Sequence, residues 1–157
     1  MKILLLQLDK TQESYLSEGI DIYCKRLRNY VQFELSTINV PKNVRQRSVN
    51  EQKLEEARLV MEVLKPDDTL ILLDERGKEL SSVAFAAFLE QKQNSSVKRL
   101  VFLIGGPFGF DDKLYTRANG KLSLSKLTFS HQMVRLFFTE QLYRAYTILK
   151  GEKYHHE

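Results

Sequence analysis

Two loops contain the residue types that best suit the binding of a small ligand. The first, Gly105–Phe110 (GGPFGF), directly follows an apolar run that is typical of a buried strand. Because glycine has no Cβ, such a loop lets the backbone approach a ligand and present its N–H groups. The spacing matches neither a P-loop nor the GxGxxG motif of dinucleotide-binding folds, and a tight turn without a ligand is the alternative.

The second loop, Leu124–Phe129 (LSKLTF), combines apolar side chains with two hydroxyl groups and one lysine. Such a loop can surround an adenine with apolar and backbone contacts while its hydroxyl groups hold polar atoms. An ordinary connection between a strand and a helix is the alternative. The first apolar run of the chain, in contrast, leads into LDKTQ without a glycine, which excludes a Rossmann-type site there. The cofactor site is therefore expected in the second half of the chain.

The histidines of the chain are further candidates for chemistry. His131, His155 and His156 lack the spacing of metal ligands, and the single cysteine excludes a cysteine-rich zinc site, so we expect no metal. His131 is expected to begin the last helix, as a cap or a hydrogen-bonding residue. The two later histidines belong to a polar tail, for which disorder is the alternative.

Two arginines lie among the apolar residues of the last predicted helix. Arg144 follows Glu140 by four residues, so the two side chains can pair on the helix surface, and a solvated ion pair is the simplest interpretation. Arg135 has no carboxylate three or four residues away on either side. Arg135 is therefore the better candidate for contact with a phosphate or with a substrate.

The elements that position these residues alternate between strands and helices. Apolar runs predict strands over the ranges Lys2–Leu8, Phe33–Val40, Thr69–Asp74, Arg99–Ile104 and Lys121–Ser125. Helical periodicity predicts helices over the ranges Gln12–Arg28, Asn50–Leu64, Ser82–Gln93, Asp112–Ala118 and His131–Lys150. This alternation is typical of an α/β fold with a mainly parallel sheet flanked by helices. In such folds ligands bind beyond the carboxyl ends of the strands, where both loops and the segment after Leu73 fall.

Several local details complete this prediction. Pro41 ends the second strand and places it at an edge of the sheet. The basic segment 42–49 is expected to be a mobile loop, and residues 75–78 are expected to form a turn. Ser81 and Gly151 are expected to cap the ends of two helices. In the helix after the basic segment, the residues expected to face the core are Leu54, Ala57, Val60, Met61 and Leu64.

Length and composition indicate one globular domain, residues 1–157. The chain has 43% hydrophobic and 28% charged residues, which excludes disordered chains and membrane proteins as classes. Gln7, Asp9 and Lys10 interrupt the N-terminal apolar run too early for a signal peptide, so a cytoplasmic location is expected. The net charge of +4 permits a polyanionic partner without requiring one.

The last predicted helix has more apolar residues than one buried face requires. Either the helix is enclosed within the monomer, or one of its faces covers the sheet while another packs against a second subunit. We expect the second arrangement, which is a homodimer without a membrane partner.

Four blocks carry a specific resemblance that extends from the MKI start to the end of the chain. They are LLDERGK at 72–78, FLIGGPFGF at 102–110, LSLSKLTFSHQMVRLFFTEQLYRAYTI at 122–148 and YHHE at 154–157. Together they resemble the ribosomal RNA large-subunit methyltransferase H family, a branch of the SPOUT methyltransferases. The resemblance implies an α/β domain with a C-terminal trefoil knot, and a homodimer with the last helix in its interface. It also implies that the basic surface and the tail, without a separate domain, recognise RNA.

The resemblance further implies S-adenosylmethionine as the cofactor. The residues that it places around the cofactor are Leu73, Gly105, Leu124, Ser125, Lys126, Leu127, Thr128 and Phe129. The implied substrate is a pseudouridine of 23S ribosomal RNA within the assembled ribosome, and the implied reaction is methylation at N3.

Three residues are candidates for the chemistry of this implied reaction. Tyr154 and His155 could grip a base flipped out of its stack, and His155 could also take the proton of N3. Arg135 could hold a phosphate or offset the charge that develops on the base. The identity of the general base and the role of segment 42–49 in RNA docking stay open. The alternative functions are a SPOUT methyltransferase that acts on tRNA and a non-catalytic RNA- or nucleotide-binding α/β module.

Overall fold

The computed structural model describes residues 1–156, and strands and helices alternate along them. The strands are β1 (Lys2–Leu8), β2 (Gln32–Ile38), β3 (Thr69–Glu79), β4 (Arg99–Ile104) and β5 (Gly120–Ser123). The helices are α1 (Ser14–Leu27), α2 (Val49–Val63), α3 (Ser82–Asn94), α4 (Asp112–Arg117) and α5 (Met133–Leu149). Neighbouring strands pair in parallel, in the order β2-β1-β4-β3-β5. The prediction of an α/β fold with a parallel sheet flanked by helices is thus confirmed.

The two faces of the sheet carry separate apolar cores. The central strands β1 and β4 are largely apolar and buried, as parallel strands covered on both faces must be. One face of the sheet packs against α1, α3 and α5, and the other packs against α2 and α4. β2 lies at an edge, as the sequence predicts. No helix among residues 1–156 is both long and apolar enough to cross a membrane.

α5 lies between α1 and α3 and packs on the sheet. The centroid of the Phe138 ring is 4.8 Å from that of Phe102 in β4, and both side chains are fully buried. Phe137, the preceding residue, is 38% exposed. A wide face of α5 is therefore enclosed within one chain, while a large apolar side chain stays at the surface.

β3 is longer than the sequence predicts, because the expected turn at residues 75–78 is a continuation of the strand. The register shifts within it, since Leu73 and Lys78 both align with Leu122 of β5. Gly77 allows this close pairing: a Cβ at that position would lie 2.6 Å from the backbone nitrogen of Leu122. The prediction of a turn is wrong because the strand depends on pairing with a distant segment.

The inward face of α2 agrees only in part with the predicted one. Leu54 and Met61 are 45% and 42% exposed, whereas Gln52 and Glu56 are buried. Both buried side chains have polar partners: Gln52 Nε2 donates to a backbone carbonyl of the preceding turn at 2.8 Å, and Glu56 pairs with Arg45. Ala57 and Val60 are fully buried, as predicted, but apolar periodicity does not register polar partners outside the helix and therefore missed the two buried polar positions.

The basic segment 42–49 is anchored to the rest of the fold and is not the mobile loop that the sequence predicts. One turn of 3₁₀ helix begins at Val44, which is only 2% exposed. Arg45 donates to Asp9 Oδ2 and to Glu56 Oε2, both at 2.6 Å. The segment therefore ties α2 to the carboxyl end of β1.

Candidate active site

A cavity of about 660 Å³ lies beside the middle of β3, at Leu73–Arg76, and at the carboxyl ends of β4 and β5. Ligands of open parallel α/β folds bind at this edge of the sheet. Its walls are these parts of the strands, the glycine loop after β4 and the loop between β5 and α5. Of the residues that the resemblance places around a cofactor, those that line the cavity are Leu73, Gly105, Leu124, Ser125, Leu127, Thr128 and Phe129. Lys126 is exposed and lies outside this set.

The glycine loop is both a tight turn and a wall of the cavity. Gly109 has a φ of +81°, and its N–H donates to Gly106 O at 3.2 Å, which closes the turn. Phe110 is buried, and a Cβ at Gly105 would lie 2.9 Å from Phe110 Cε1. Because Gly105 and Gly106 carry no side chain, their backbone itself forms this wall of the cavity.

The hydroxyl groups of the loop Leu124–Phe129 stabilise the loop itself. Ser125 Oγ accepts from Leu127 N at 3.0 Å, and Thr128 Oγ1 donates to Glu75 Oε2 at 3.1 Å. Leu127 is 72% exposed at the rim of the cavity. A ligand that leaves these hydrogen bonds in place would contact the apolar side chains and the backbone of the loop.

Asp74 and Tyr115 are cavity residues that the sequence analysis did not single out. The Tyr115 hydroxyl donates to Asp74 Oδ2, and burial together with this hydrogen bond raises the pKa of Tyr115 to about 12. Asp74 could have been found as a carboxylate near the end of a buried apolar run, whereas the place of Tyr115 depends on how α4 packs. Among residues 1–156, no group of three or more His, Cys, Asp or Glu side chains could hold a metal ion.

His131 lies in the turn that precedes α5, and it lines the cavity. It does not cap the helix: Ser130 Oγ accepts from the first backbone N–H of α5 at 3.1 Å. Burial lowers the pKa of the His131 imidazole, and the charges of Arg135 and Arg45 lower it further, against the weaker opposite effect of Asp9. The imidazole is therefore mainly neutral at neutral pH.

Arg135 is buried, with only 1% of its surface exposed. Its guanidinium donates at 2.9–3.3 Å to Leu8 O, Asp9 O, Thr11 Oγ1 and His131 O. The expected phosphate contact does not fit this placement, because four of the five N–H donors of Arg135 are already bound to protein oxygens in a buried position. Arg135 instead holds the carboxyl end of β1 against the start of α5.

Tyr154 and His155 lie together, but they do not line the cavity. The Tyr154 hydroxyl donates to Glu140 Oε1 at 2.9 Å. The guanidinium of Arg144 lies 4.7 Å from the centroid of the Tyr154 ring and 3.1 Å from His155 Nδ1. Val134 of α5 lines the cavity, and Glu140 is about 9 Å further along the helix axis. Within one chain, the structure does not bring these two candidates to the predicted cofactor site.

The ion pair between Glu140 and Arg144 anchors the tail and is not only a solvated surface pair. The two side chains are 18% and 25% exposed, and their nearest atoms are 2.7 Å apart. Burial, then the hydrogen bonds with Tyr23 and Glu140, raise the pKa of Tyr154, so its hydroxyl stays a proton donor. Glu157, the last residue of the YHHE block, lies outside the described residues.

Comparison with known proteins identifies the family. The family model described as "Predicted SPOUT methyltransferase" matches residues 1–155. This chain belongs to the SPOUT methyltransferase family. Among its relatives are proteins named ribosomal RNA large subunit methyltransferase H. That of Flavobacterium psychrophilum is 54% identical over 157 residues, which is all of both chains. That of Cytophaga hutchinsonii is 54% identical over 99% of this chain and all of the relative, and that of Bacteroides thetaiotaomicron is 47% identical over all of both.

Family membership confirms the resemblance that the sequence blocks carry. The chain is therefore a methyltransferase, and its parallel α/β sheet has the architecture that the resemblance implies. The trefoil knot follows from the family and stays a prediction for this chain.

Proposed function

We propose that this protein uses S-adenosylmethionine to methylate N3 of a pseudouridine in the 23S ribosomal RNA of the assembled ribosome. The observation that carries the proposal is the cavity formed by the middle of β3 and the carboxyl ends of β4 and β5. It is lined by all the residues that the resemblance places around the cofactor, except Lys126. The names of the relatives, which specify large-subunit ribosomal RNA, support the substrate. The formal net charge of +4 agrees with a polyanionic partner.

The residues of the cavity fit S-adenosylmethionine. Leu73, Ile104 and Leu124 offer apolar surface to an adenine ring, and the backbone wall at Gly105 leaves room beside it. Asp74 adds a carboxylate that can accept hydrogen bonds from hydroxyl or ammonium groups. When bound, the cofactor supplies an electrophilic methyl group. The task of the protein is then chiefly to place the target nitrogen in line with that group.

The rim of the cavity offers apolar side chains to an RNA base. Phe108 and Leu127 line the cavity, and they are 49% and 72% exposed. Bases that leave their stack are commonly received by aromatic and apolar side chains. These two residues are therefore proposed to contact the target nucleotide, while the interior of the cavity holds the cofactor.

The position of the tail supports a homodimer in which each tail works at the cavity of the partner subunit. Tyr154 and His155 are held against α5, away from the cavity of their own chain. Ile22 of α1 and Phe137 of α5 are 46% and 38% exposed, which leaves apolar surface for a subunit contact. We further propose that residues 1–157 form one domain and that the enzyme works in the cytoplasm, where its ribosomal substrate is found.

Calorimetry and ribosome methylation test the proposed function. We expect S-adenosylmethionine to bind with measurable heat. We also expect labelled methyl groups to appear at a pseudouridine of 23S rRNA when ribosomes lacking the modification are supplied, as mass spectrometry will detect. Gly105→Val is the matched control, because its side chain would collide with Phe110 and should abolish binding. Methylation of tRNA instead would favour the other SPOUT activity, and an absence of binding would leave only a non-catalytic module.

A further inference from the structure

We propose that His131 accepts the proton of N3 from the substrate base. The inference rests on the function proposed above and assigns the general base that the sequence leaves open. An imide nitrogen is a poor nucleophile while it carries its proton, so a base must remove that proton before or during methyl transfer. Such a base must lie at the cavity and must carry no proton on its basic atom in the resting enzyme.

His131 lies between the loop Leu124–Phe129 and the start of α5. It follows the loop Leu124–Phe129 by two residues and lines the same cavity as Gly105 and Gly106. Arg135, one helical turn further on, donates from Nε to the His131 carbonyl at 3.3 Å and holds this turn in place. His131 is half-buried, so a proton taken up by its side chain can still leave to solvent.

The other ionisable groups around the cavity are less suited to accept this proton. Among the described residues they are Lys53, Asp74, Glu75, Arg76, Asp112 and Tyr115. Lys53 and Arg76 are cations. Tyr115 keeps its proton in the hydrogen bond to Asp74, since its pKa is raised to about 12. Carboxylates are weak bases, with ordinary pKa values of about 4, and are poorly matched to an imide N–H.

Charged groups from three elements control the protonation of His131. Arg135 acts from α5, Arg45 from the basic turn before α2, and Asp9 from the end of β1. Asp9 is itself paired with Arg45 at 2.6 Å, and the second partner of Arg45 is Glu56, also at 2.6 Å. Burial and the two arginines disfavour the imidazolium more strongly than Asp9 favours it. Arg45 thereby gives the basic segment a role: it helps to keep the proton acceptor uncharged.

In the proposed step, N3 gains the methyl group and loses its proton to His131, and bonds, electrons and protons balance. The electron pair of the N3–H bond forms the new bond to the methyl carbon. The bond between that carbon and sulfur breaks, and its electrons stay on sulfur. The proton passes to a ring nitrogen of His131, which becomes an imidazolium. Because Arg45 and Arg135 disfavour this cation, the proton then leaves to solvent and the neutral imidazole is restored.

Histidine NMR tests the inference on the protein without turnover. The chain has three histidines, so the His131 signals can be assigned by comparison with His131→Gln. We expect a pKa for His131 below the ordinary value of about 6.5. Arg45→Gln, which removes a positive charge, should raise that pKa, whereas Arg45→Lys keeps the charge and should leave it nearly unchanged. A His131 pKa at or above its ordinary value would overturn the inference.

Turnover on ribosomes tests the chemical role. His131→Gln should lower kcat by about 10²–10⁴-fold, while the Kd for S-adenosylmethionine changes by less than about threefold. The wild-type rate should rise with pH through the NMR pKa of His131, and the variant should lose this dependence. Gln132→Ala is the matched control, because Gln132 lies in the same turn and, among residues 1–156, its side chain bonds to the segment before α1.

Two failures of this experiment can be told apart. If His131→Gln keeps its kcat, or keeps the rise of rate with pH, the inference about the proton acceptor is overturned while the proposed function stands. If the wild-type protein binds the cofactor but does not methylate the pseudouridine, the proposed function itself fails, and no variant is needed to see it.

Discussion

At the scale of single residues, the partners of a side chain decide what it can do. Asp74 and Tyr115 form one hydrogen-bonded unit in the wall of the cavity. Two arginines of the same helix have different tasks: Arg135 is buried among backbone carbonyls, and Arg144 holds the tail. His131 stays neutral because of its neighbours and not because of its type alone. Residue type in the sequence therefore indicates candidates, and surroundings separate them.

Tyr115→Phe should weaken cofactor binding without unfolding the protein. The ring contact with Phe110, at 5.9 Å between centroids, is kept, so the lost hydrogen bond should cost roughly 1.5–3 kcal/mol of stability. Asp74 Oδ2 would lose its partner, while Oδ1 keeps the hydrogen bond from Arg76 N at 2.9 Å, and we expect the Kd for S-adenosylmethionine to rise about tenfold. Thermal unfolding and calorimetry measure the two effects. Tyr15→Phe, at a residue that is 63% exposed, is the control, and an unchanged Kd in Tyr115→Phe would contradict the role of Tyr115.

At the scale of elements, the extension of β3 shapes the cavity. The strand passes the cavity at Leu73, shifts its register and then pairs again with β5, so that Leu122 has two partners along β3. This irregular pairing therefore determines the point at which the loop after β5 leaves the sheet. A change that separates β3 from β5 should affect the cofactor loop as well as stability.

Gly77→Ala tests this coupling. The added Cβ would lie 2.6 Å from Leu122 N, a backbone atom that cannot turn away as a side chain can. We expect a loss of roughly 3 kcal/mol in the free energy of unfolding, measured in urea, together with weaker cofactor binding. Gly120→Ala is the matched control on the same ladder, since its Cβ would lie 3.2 Å from the tip of Ile71 and should cost less than about 1 kcal/mol. Equal costs for the two variants would argue against a special role for Gly77.

At the scale of the whole molecule, the two ends of the sheet have different tasks. The cavity lies at the carboxyl ends of the strands, and a polar clamp around Asp68 lies at the amino ends. Asp68 accepts from Arg99 Nε and from Lys65 N, both at 2.8 Å, and its carbonyl accepts from Arg117 at 3.0 Å. The clamp joins the starts of β3 and β4 to the end of α4. Stability and cofactor binding should therefore be separable by mutation.

Asp68→Asn should lower stability in a pH-dependent way and leave cofactor binding unchanged. Burial would raise the pKa of Asp68, but the hydrogen bonds from Arg99 and Lys65 outweigh it and hold the pKa below its ordinary range. Such a carboxyl group stabilises the fold above its unfolded-state pKa of about 3.9, and the contribution is lost as pH falls through the folded-state pKa. We expect a loss of roughly 3 kcal/mol near neutral pH that shrinks below about pH 4.

An exposed ion pair provides the control for Asp68→Asn. Glu34→Gln breaks the pair with Lys2, whose side chains are 52% and 30% exposed, and should cost less than about 1 kcal/mol. Urea unfolding at several pH values measures both variants. A deficit in Asp68→Asn that persists undiminished in acid would show that the charge of Asp68 is not the cause.

A mixture of two defective variants tests whether the tail acts across the dimer. His155→Ala should lower methylation while it leaves cofactor affinity nearly intact, and Gly105→Val should lose the cofactor. In a mixed dimer the His155→Ala subunit keeps a working cavity, and the Gly105→Val subunit keeps a working tail. Random mixing should then restore about a quarter of wild-type methylation, because half of the dimers are mixed and each has one complete site. A mixture that stays inactive would mean that the tail serves its own subunit.

The sequence by itself determined the order of the strands and helices, the parallel sheet and the position of the glycine loop. These features could be inferred from local patterns, namely periodicity, caps and blocks of consecutive residues. Ser81 Oγ accepts from Ala84 N at 3.0 Å, and Gly151 has a φ of +68°, as their positions predict. The family was readable for the same reason, because its blocks are long and uninterrupted.

Only the tertiary structure decided which polar residues face the cavity. Arg135 is bound to Leu8, which lies 127 residues away in the chain, and this contact removes it from the candidates for phosphate binding. Half-buried Arg45 pairs with buried Glu56, so an expected loop is anchored, while Leu54 and Met61 are exposed although an inward position was expected for both. Whether a polar group is buried depends on partners that distant segments supply, and no local pattern contains them.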